Sequence, residues 1–240
     1  MKFTSLATSA ILLFAASLAQ EAQAKPVGKS FKAPACYQHT IPFTQYWVPK
    51  EGLKDQDDNG RPITLTLSPK PVQLKTGGGR VIAKVSKNTY YKCYLEGTCL
   101  LNDGTLVNLD DDKKRTFLII DTKYYRFGQG STDKALVPFV SIAANDWPIG
   151  TTAIVKELVG KKLPNGKTHN GCVRVDDKSW SFKKCQFDFF VVEFDLYKKM
   201  NLPEKANIKQ KACKVLDYVT PDLVRYMKPG HGRKGKKSQH

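Results

Sequence analysis

The sequence lacks the motifs of several common functional sites. It has no paired Cys-x-x-Cys motif, and its four histidines are scattered along 240 residues. Zinc sites usually combine such closely spaced ligands, so we expect no metal ion and no other cofactor. There is no nucleophile elbow for serine–histidine catalysis. There is also no zinc finger, aromatic RNP motif or helix-turn-helix pattern, so we expect no specific binding of nucleic acid.

Long hydrophobic runs are also scarce. The run ILLFAASLA lies within the first 24 residues and falls short of the roughly 20 apolar residues that a membrane-spanning helix needs. No later segment approaches that length. A basic start, this run and the sequence AQA before Lys25 predict a signal peptide over 1–24. We therefore expect a secreted protein without stable membrane insertion, with a flexible lead-in at 25–35.

Acidic residues are in the minority. The chain has 39 Lys and Arg against 22 Asp and Glu, which gives a formal net charge of +17. Such a surface attracts anionic polymers at long range, whereas chitosan, a cationic polymer, is disfavoured by this charge. Residues 228–240 form a basic tail that we expect to be disordered and to act as an electrostatic arm.

The six cysteines all follow the predicted signal peptide. An even count in an oxidising compartment predicts three disulfides, although the sequence leaves the pairing open. The pairing that we favour is Cys93–Cys99, Cys172–Cys185 and Cys36–Cys213.

Short β-prone runs separated by turn signals dominate the chain between its two ends. They include 63–69, 79–86, 89–97, 116–121, 136–144, 151–160, 171–177 and 187–197. Only 202–218 and 220–227 read as helices. Many short strands with few helices predict a mainly β barrel or sandwich, and we expect a single domain over 36–227 that exists as a monomer.

Two aspartates stand out in the segment VDDKSWSFKKCQFDFF at 175–190. If 187–197 is a strand, Asp188 shares a face with Phe190, Val192 and the apolar residues beyond them. A carboxyl beside such a face is partly desolvated, which raises its pKa and suits it to general acid catalysis. The alternative is an aspartate at a strand end that faces water. Asp177 lies eleven residues before Asp188.

This segment resembles the signature of the three-aspartate (3D) domain of the membrane-bound lytic murein transglycosylase A family. Asp177 and Asp188 match the first and second aspartates, and the step Phe182-Lys183 matches the Ile-Lys step between them. Residues 147–158 and 43–46 are similar to two further family motifs, the second of them a Thr-x-Tyr that includes Thr44. The resemblance covers 40–46 and 137–197, and 47–136 has no counterpart.

The resemblance implies a six-stranded double-psi β-barrel, related to expansins and barwin-like proteins, with extra strands or loops and a short helical C-terminal appendage. It also implies that Asp188 is the single catalytic acid and base and that Asp177 raises its pKa. At the position of the family's third aspartate this chain has Ala143. The nearest acid is Asp146, which would be an auxiliary carboxylate if it reaches the substrate-binding groove of the barrel. Where the family has Gly-Gly after the first aspartate, this chain has Ser179-Trp180.

Several residues near these motifs are candidates for substrate binding. Trp180 in the turn between the two aspartates is the best sugar-stacking candidate, and the others are Tyr46, Trp47, Trp147, Thr44 and Lys183. Glu96 and Asp110-Asp111-Asp112 are expected to be solvated. The resemblance implies cleavage of β-1,4-linked amino-sugar polymers of cell walls, with peptidoglycan favoured and chitin as another candidate. The alternative is a non-catalytic, expansin-like protein that binds and loosens wall polysaccharide.

Overall fold

The computed structural model describes residues 32–230. The predicted signal peptide, most of the lead-in and 231–240 of the tail lie outside the described residues. The described strands and helices are, in chain order, β1 Ile41–Trp47, β2 Lys54–Gln56, β3 Pro62–Thr64, β4 Val72–Lys75, β5 Val81–Val85, α1 Lys87–Leu95, β6 Thr98–Leu100, β7 Leu106–Asp111, β8 Thr116–Ile119, β9 Ser141–Ala143, β10 Thr152–Lys162, β11 Thr168–Asp177, β12 Phe187–Val192, α2 Phe194–Met200, β13 Lys205–Ala206, β14 Ile208–Gln210 and α3 Pro221–Tyr226. Within 32–230, no helix is both long and apolar enough to cross a membrane.

The main sheet has the strand order β13-β1-β12-β9-β11-β10-β14. Its two outer strands are consecutive in the chain and are separated only by Asn207, whose carbonyl accepts a hydrogen bond from Lys156 N at 3.0 Å. Segment 205–210 therefore joins β1 to β10, and the sheet is nearly closed into a barrel six strands wide. The prediction of a mainly β fold with short helical parts is confirmed. The double-psi crossing pattern stays a prediction.

The barrel is filled with aromatic side chains. Phe187, Phe189 and Phe190 on β12 are fully buried, and the Phe43 ring on β1 stacks on that of Phe187 with 4.6 Å between centroids. Successive residues of β12 from Phe189 to Val192 are buried, so both faces of this strand are covered, while β1 and β9 pair with its two edges. Burial of such rings removes large apolar areas from water and anchors the strand that carries Asp188.

Residues 47–136, the insertion, add three small sheets and α1 to the barrel. Its sheets pair β2 with β3, β4 with β5, and β6-β7-β8. They enclose a separate buried cluster of Leu74, Val85, Cys93, Cys99, Leu101, Val107 and Phe117. The insertion and the barrel belong to one compact unit that begins at Lys32.

The strands predicted at 63–69 and 136–144 form only in part, as the end of β3 and as β9, and three further secondary-structure predictions are wrong. Segment 89–97 lies largely in α1, because Ser86 caps the helix by accepting a hydrogen bond from Thr89 N at 3.0 Å. The strand predicted over 187–197 ends at Val192, and α2 follows. Segment 202–218 forms β13, β14 and extended chain rather than a helix. The predicted helix at 220–227 is confirmed as α3, with Pro221 in its first turn.

All six cysteines form disulfides, but only one predicted pair is right. The bonds are Cys93–Cys99, Cys36–Cys185 and Cys172–Cys213. A Cys172–Cys185 bond would require β11 to lie beside the start of β12, whereas β9 separates the two strands. Cys172 instead meets the segment after β14, which passes along the far side of β10.

Candidate active site

A cleft of about 610 Å³ opens between the barrel and the insertion. The barrel side is built by β1, β9, β11, β12 and the turn after β11. The insertion side is built by the end of α1 and by β7. The cleft contains two of the three aspartates predicted to be catalytic, Asp177 and Asp188, together with Thr44, Tyr46 and Trp180.

Strand register places Asp177 and Asp188 on either side of Ala143. Ala143 on β9 pairs with Asp188 on β12 and with Asp177 on β11, and Asp188 also pairs with Thr44 on β1. Because neighbouring strands lie about 4.8 Å apart, the two aspartate backbones are separated by roughly 10 Å. The small Ala143 residue stands between them, where the resemblance to the 3D domain leads one to expect a third aspartate.

Asp177 is held as a carboxylate by a neighbouring loop. Its Oδ1 accepts hydrogen bonds from Ser131 N and Ser131 Oγ, each at 3.0 Å, and from Lys178 N at 2.8 Å. Burial raises the pKa of Asp177 to about 6, while these hydrogen bonds oppose the rise and the charge of Asp176 adds to it. Asp177 therefore carries a negative charge near neutral pH.

Asp188 has the opposite protonation state. Its Oδ1 is buried and has no hydrogen-bond partner among residues 32–230. Burial, followed by the negative charges of Glu96 and Asp177, raises the pKa of Asp188 to about 8, although Thr44 opposes the rise. Asp188 is therefore largely protonated near neutral pH, in an open cleft where a proton can be transferred.

Glu96 lines the same cleft from the insertion and is not the solvated residue that the sequence predicts. Its side chain is only 8% exposed. Glu96 Oε1 lies 2.5 Å from Lys92 Nζ, and Oε2 accepts a hydrogen bond from Trp47 N at 3.3 Å. Burial raises the pKa of Glu96 while Lys92 lowers it. The only sequence signal for this residue was its place in the short loop closed by Cys93–Cys99.

Lys92 links the insertion to the barrel through a buried polar cluster. Its Nζ lies 3.3 Å from Asp55 Oδ1 and 4.3 Å from the centroid of the Trp47 ring. Trp47 Nε1 in turn donates to Asp55 Oδ2 at 3.1 Å. Because Trp47 is 5% exposed and engaged in this cluster, it does not form the sugar platform that the sequence predicts.

Of the remaining substrate-binding candidates, Trp180 and Tyr46 line the cleft, whereas Trp147 and Lys183 do not. Trp180 is 41% exposed, lines the cleft and lies 4.6 Å from the Tyr94 ring, so it can stack on a sugar. Tyr46 also lines the cleft. Among the described residues its buried hydroxyl has no partner at good hydrogen-bond geometry, although the Asp177 carboxylate interacts with it. Burial together with the charges of Asp177 and Asp188 raises the pKa of Tyr46 well above the ordinary value. By contrast, Trp147 is 1% exposed in the core and Lys183 is exposed outside the cleft lining.

Asp146 does not line the cleft. Its carboxylate accepts hydrogen bonds from Tyr37 Oη at 2.7 Å and from Cys185 N at 3.0 Å. Asp146 therefore braces the turn beside the Cys36–Cys185 disulfide and does not replace the aspartate missing at Ala143.

Asn145, which sequence reasoning missed, shapes the turn that carries Trp180. Its Nδ2 donates to Ser179 O at 2.8 Å and to Phe182 O at 2.5 Å, and its Oδ1 accepts from Ser179 N at 2.8 Å. These bonds hold the turn in which Ser179-Trp180 stands where the resembling family has Gly-Gly. The side chain of Trp180 is thereby held at the cleft.

The chain is similar to several solved structures, and no family model or curated protein matches it. One structure is Escherichia coli MltA with bound chitohexaose, with 13% identity, a TM-score of 0.44, and coverage of 72% of this chain and 72% of that chain. Another is a membrane-bound lytic murein transglycosylase from Agrobacterium tumefaciens, with 11% identity, a TM-score of 0.45, and coverage of 70% and 72%. A third is the lytic transglycosylase LtgG of Burkholderia pseudomallei, with 13% identity, a TM-score of 0.39, and coverage of 71% and 70%.

All three are lytic transglycosylases, the class that the motif at 175–190 resembles. At these identities and TM-scores the likeness alone carries neither a substrate nor a mechanism to this chain. What the chain itself presents is a mainly β, barrel-like fold with a cleft that brings together one protonated and two further buried carboxyl groups.

Proposed function

We propose that this protein is an enzyme that cleaves β-1,4-linked amino-sugar polymers of cell walls, peptidoglycan first among them. The observation that carries the proposal is the Asp188 carboxyl, which holds its proton near neutral pH in a cleft large enough for sugar units. A protonated carboxyl is the general acid that glycosidic cleavage needs. Trp180 offers an aromatic surface for a sugar ring beside it.

In the first step, Asp188 donates its proton to the glycosidic oxygen, and the bond from that oxygen to C1 breaks. Positive charge then develops on the sugar ring, and the ionised Asp177, with the charge of Glu96 across the cleft, stabilises it. Asp188, now a carboxylate, accepts the proton of the attacking hydroxyl. If that hydroxyl is the sugar's own 6-hydroxyl, the product is a 1,6-anhydro end; if it comes from water, the product is a reducing end.

The alternative, a non-catalytic expansin-like protein, is favoured by one observation. Ala143 occupies the position of the third aspartate, and Asp146 does not restore a carboxylate there. A protein of this kind would use the same cleft and Trp180 to bind the polymer without cutting it.

Secretion and attraction to anionic wall polymer belong to the same proposal. Support for secretion comes from the signal-like first 24 residues and from three disulfides, which persist in oxidising compartments. The net charge of +17 would hold the protein at an anionic wall, and that retention should weaken as salt screens the charges.

Mass spectrometry of polymer products tests the proposed activity. Purified peptidoglycan glycan strands and chitin are each incubated with the oxidised protein, and the new ends are weighed. Anhydro ends indicate attack by the sugar's own hydroxyl, and ends heavier by one water indicate hydrolysis. Polymers that bind without any new ends would overturn the enzyme proposal in favour of the expansin-like one.

A further inference from the structure

The charge of the cleft is opposite to that of the protein. The full chain has 39 basic and 22 acidic residues, yet five acidic side chains and one lysine line the cleft. Asp188 is protonated near neutral pH and Glu96 is paired with Lys92, so the cleft's uncompensated negative charge comes from Asp110, Asp112 and Asp177. The acids are Glu96, Asp110, Asp112, Asp177 and Asp188. The single lysine, Lys178, turns its Nζ to backbone carbonyls, including that of Ala144 at 2.8 Å.

Asp110 and Asp112 are not explained by the proposed chemistry. Both are exposed residues at the end of β7, on the insertion side of the cleft. Asp110 Oδ2 accepts one hydrogen bond from Thr116 Oγ1 at 3.3 Å, and no cation of the cleft lining is paired with either carboxylate. The ion pair of this turn joins Lys114 to Asp111, which does not line the cleft.

A second, independent feature indicates that this cleft is built for a polar ligand. Tyr46 lines the cleft and is only 7% exposed, yet within residues 32–230 its buried hydroxyl makes no hydrogen bond of good geometry, although the Asp177 carboxylate of the same cleft interacts with it. The buried Asp188 Oδ1 likewise has no hydrogen-bond partner among these residues. Buried polar atoms normally find partners, so two atoms in one cleft that lack good partners point to a ligand that supplies them.

We infer that the cleft selects amino-sugar polymers whose 2-amino groups are free and protonated, with Asp110 and Asp112 facing these cations at the insertion rim. This inference rests on the proposed function and narrows its substrate class. A cleft with an excess of negative side chains focuses their field, so it can attract cationic sugars although the whole molecule is basic. The expectation from net charge that chitosan is disfavoured therefore does not hold at the cleft.

The same reasoning disfavours polymers whose sugars carry carboxylates and no cation, because these carboxylates would face the negative charges of Asp110, Asp112 and Asp177. Two sources supply the favoured chemistry: chitosan, and peptidoglycan glycan strands that have lost their N-acetyl groups. Both present 2-amino-2-deoxyglucose units in β-1,4 linkage. They differ in the lactyl groups, which only the glycan strands carry.

Binding of two hexasaccharides that differ only in N-acetylation tests the inference. Chitosan hexamer and chitin hexamer are titrated in weakly acidic buffer into the Asp188→Asn protein, in which the amide replaces the protonated carboxyl and prevents cleavage. The charge variant adds Asp110→Asn and Asp112→Asn. The control adds Asp195→Asn and Asp222→Asn, two exposed acids outside the cleft, and so changes the net charge equally.

We expect chitosan hexamer to bind about fivefold to tenfold more tightly than chitin hexamer, since exposed charge pairs each contribute modestly. The charge variant should lose this preference and the control should keep it. Equal binding of the two sugars, or an equal loss in the control, would overturn the inference while leaving the proposed function intact. Failure of both sugars to bind would overturn the proposed function and the inference with it.

A second arm distinguishes the two sources. Peptidoglycan glycan strands are compared before and after chemical removal of their N-acetyl groups. Tighter binding after removal shows that the free amine is recognised on either polymer. A preference confined to the hexasaccharides assigns the cleft to chitosan, and no preference in either arm contradicts the inference.

Discussion

Replacing Glu96 with glutamine removes a charge that acts on Asp188 from across the cleft. The pKa of Asp188 rises from 3.8 to about 8, with burial as the largest cause and Glu96 as the larger of the two contributing charges. A like charge across a partly solvated cleft typically contributes on the order of 1.4 kcal/mol, or about one pH unit, and we use this magnitude for Glu96. One pH unit is a tenfold change in the ratio of protonated to ionised carboxyl.

The expected effect is confined to the alkaline side of the pH–rate profile. In Glu96→Gln the pKa of Asp188 falls, so on raising the pH Asp188 loses its proton earlier in the variant than in wild type. At about pH 8 the protonated fraction drops from about a half to about a tenth, and cleavage should slow by about fivefold. At about pH 6 Asp188 stays protonated in both proteins, so the rates should nearly agree.

The matched control is Glu51→Gln. Glu51 is another largely buried glutamate in the insertion; it accepts a hydrogen bond from Asn102 N at 3.0 Å and does not line the cleft. This control should leave the shape of the profile unchanged. A general loss of rate in Glu96→Gln, with an alkaline limb that does not move, would show that Glu96 only holds Lys92 and would refute the reasoning.

Three further predictions follow from the site and the disulfides. Asp188→Asn should stabilise the fold near pH 7 by up to about 4 kcal/mol. The pKa of Asp188 is about 8 in the folded protein and about 4 in the unfolded chain, so wild type loses stability as pH rises from about 4 to about 8, and the variant does not. Urea unfolding that responds to pH equally in wild type and variant would contradict this. Trp180→Ala should weaken hexasaccharide binding by about tenfold, and unchanged titration calorimetry would exclude Trp180 as the sugar platform. Cys172→Ser combined with Cys213→Ser should lower the unfolding free energy by about 3–4 kcal/mol, and a peptide map that links Cys172 to Cys185 would disprove the pairing.

The barrel residues of the site, Asp177 and Asp188, could be predicted from short stretches of sequence. The apolar run around Asp188 and the motif through Asp177 depend on neighbours along the chain, and strand periodicity is a local property. The spacing of the motifs along the chain also marks Ala143 as the third position. In the structure Ala143 pairs with both Asp177 and Asp188.

The insertion side could not be predicted in the same way. Glu96 acts on Asp188 although 92 positions separate them, and only the folding of the insertion against β1 brings them together. The β-prone residues at 89–97 favour a strand, but the Ser86 cap and the packing of Cys93 in a buried cluster support a helix. The disulfides depend on strand order, which β9 changes by lying between β11 and β12.

The most direct test of the central claim compares cleavage by the wild type, by Asp188→Asn and by Asp195→Asn. Asp195 is half-exposed in α2, pairs with Lys198 at 2.8 Å and serves as the matched control. Scission of amino-sugar polymer is followed by mass spectrometry of the new chain ends, at a pH where Asp188 holds its proton. We expect Asp188→Asn to lower the rate by about 10²–10⁴-fold, the usual contribution of a general acid, and Asp195→Asn to leave it unchanged. Cleavage that survives Asp188→Asn at the wild-type rate would contradict the account.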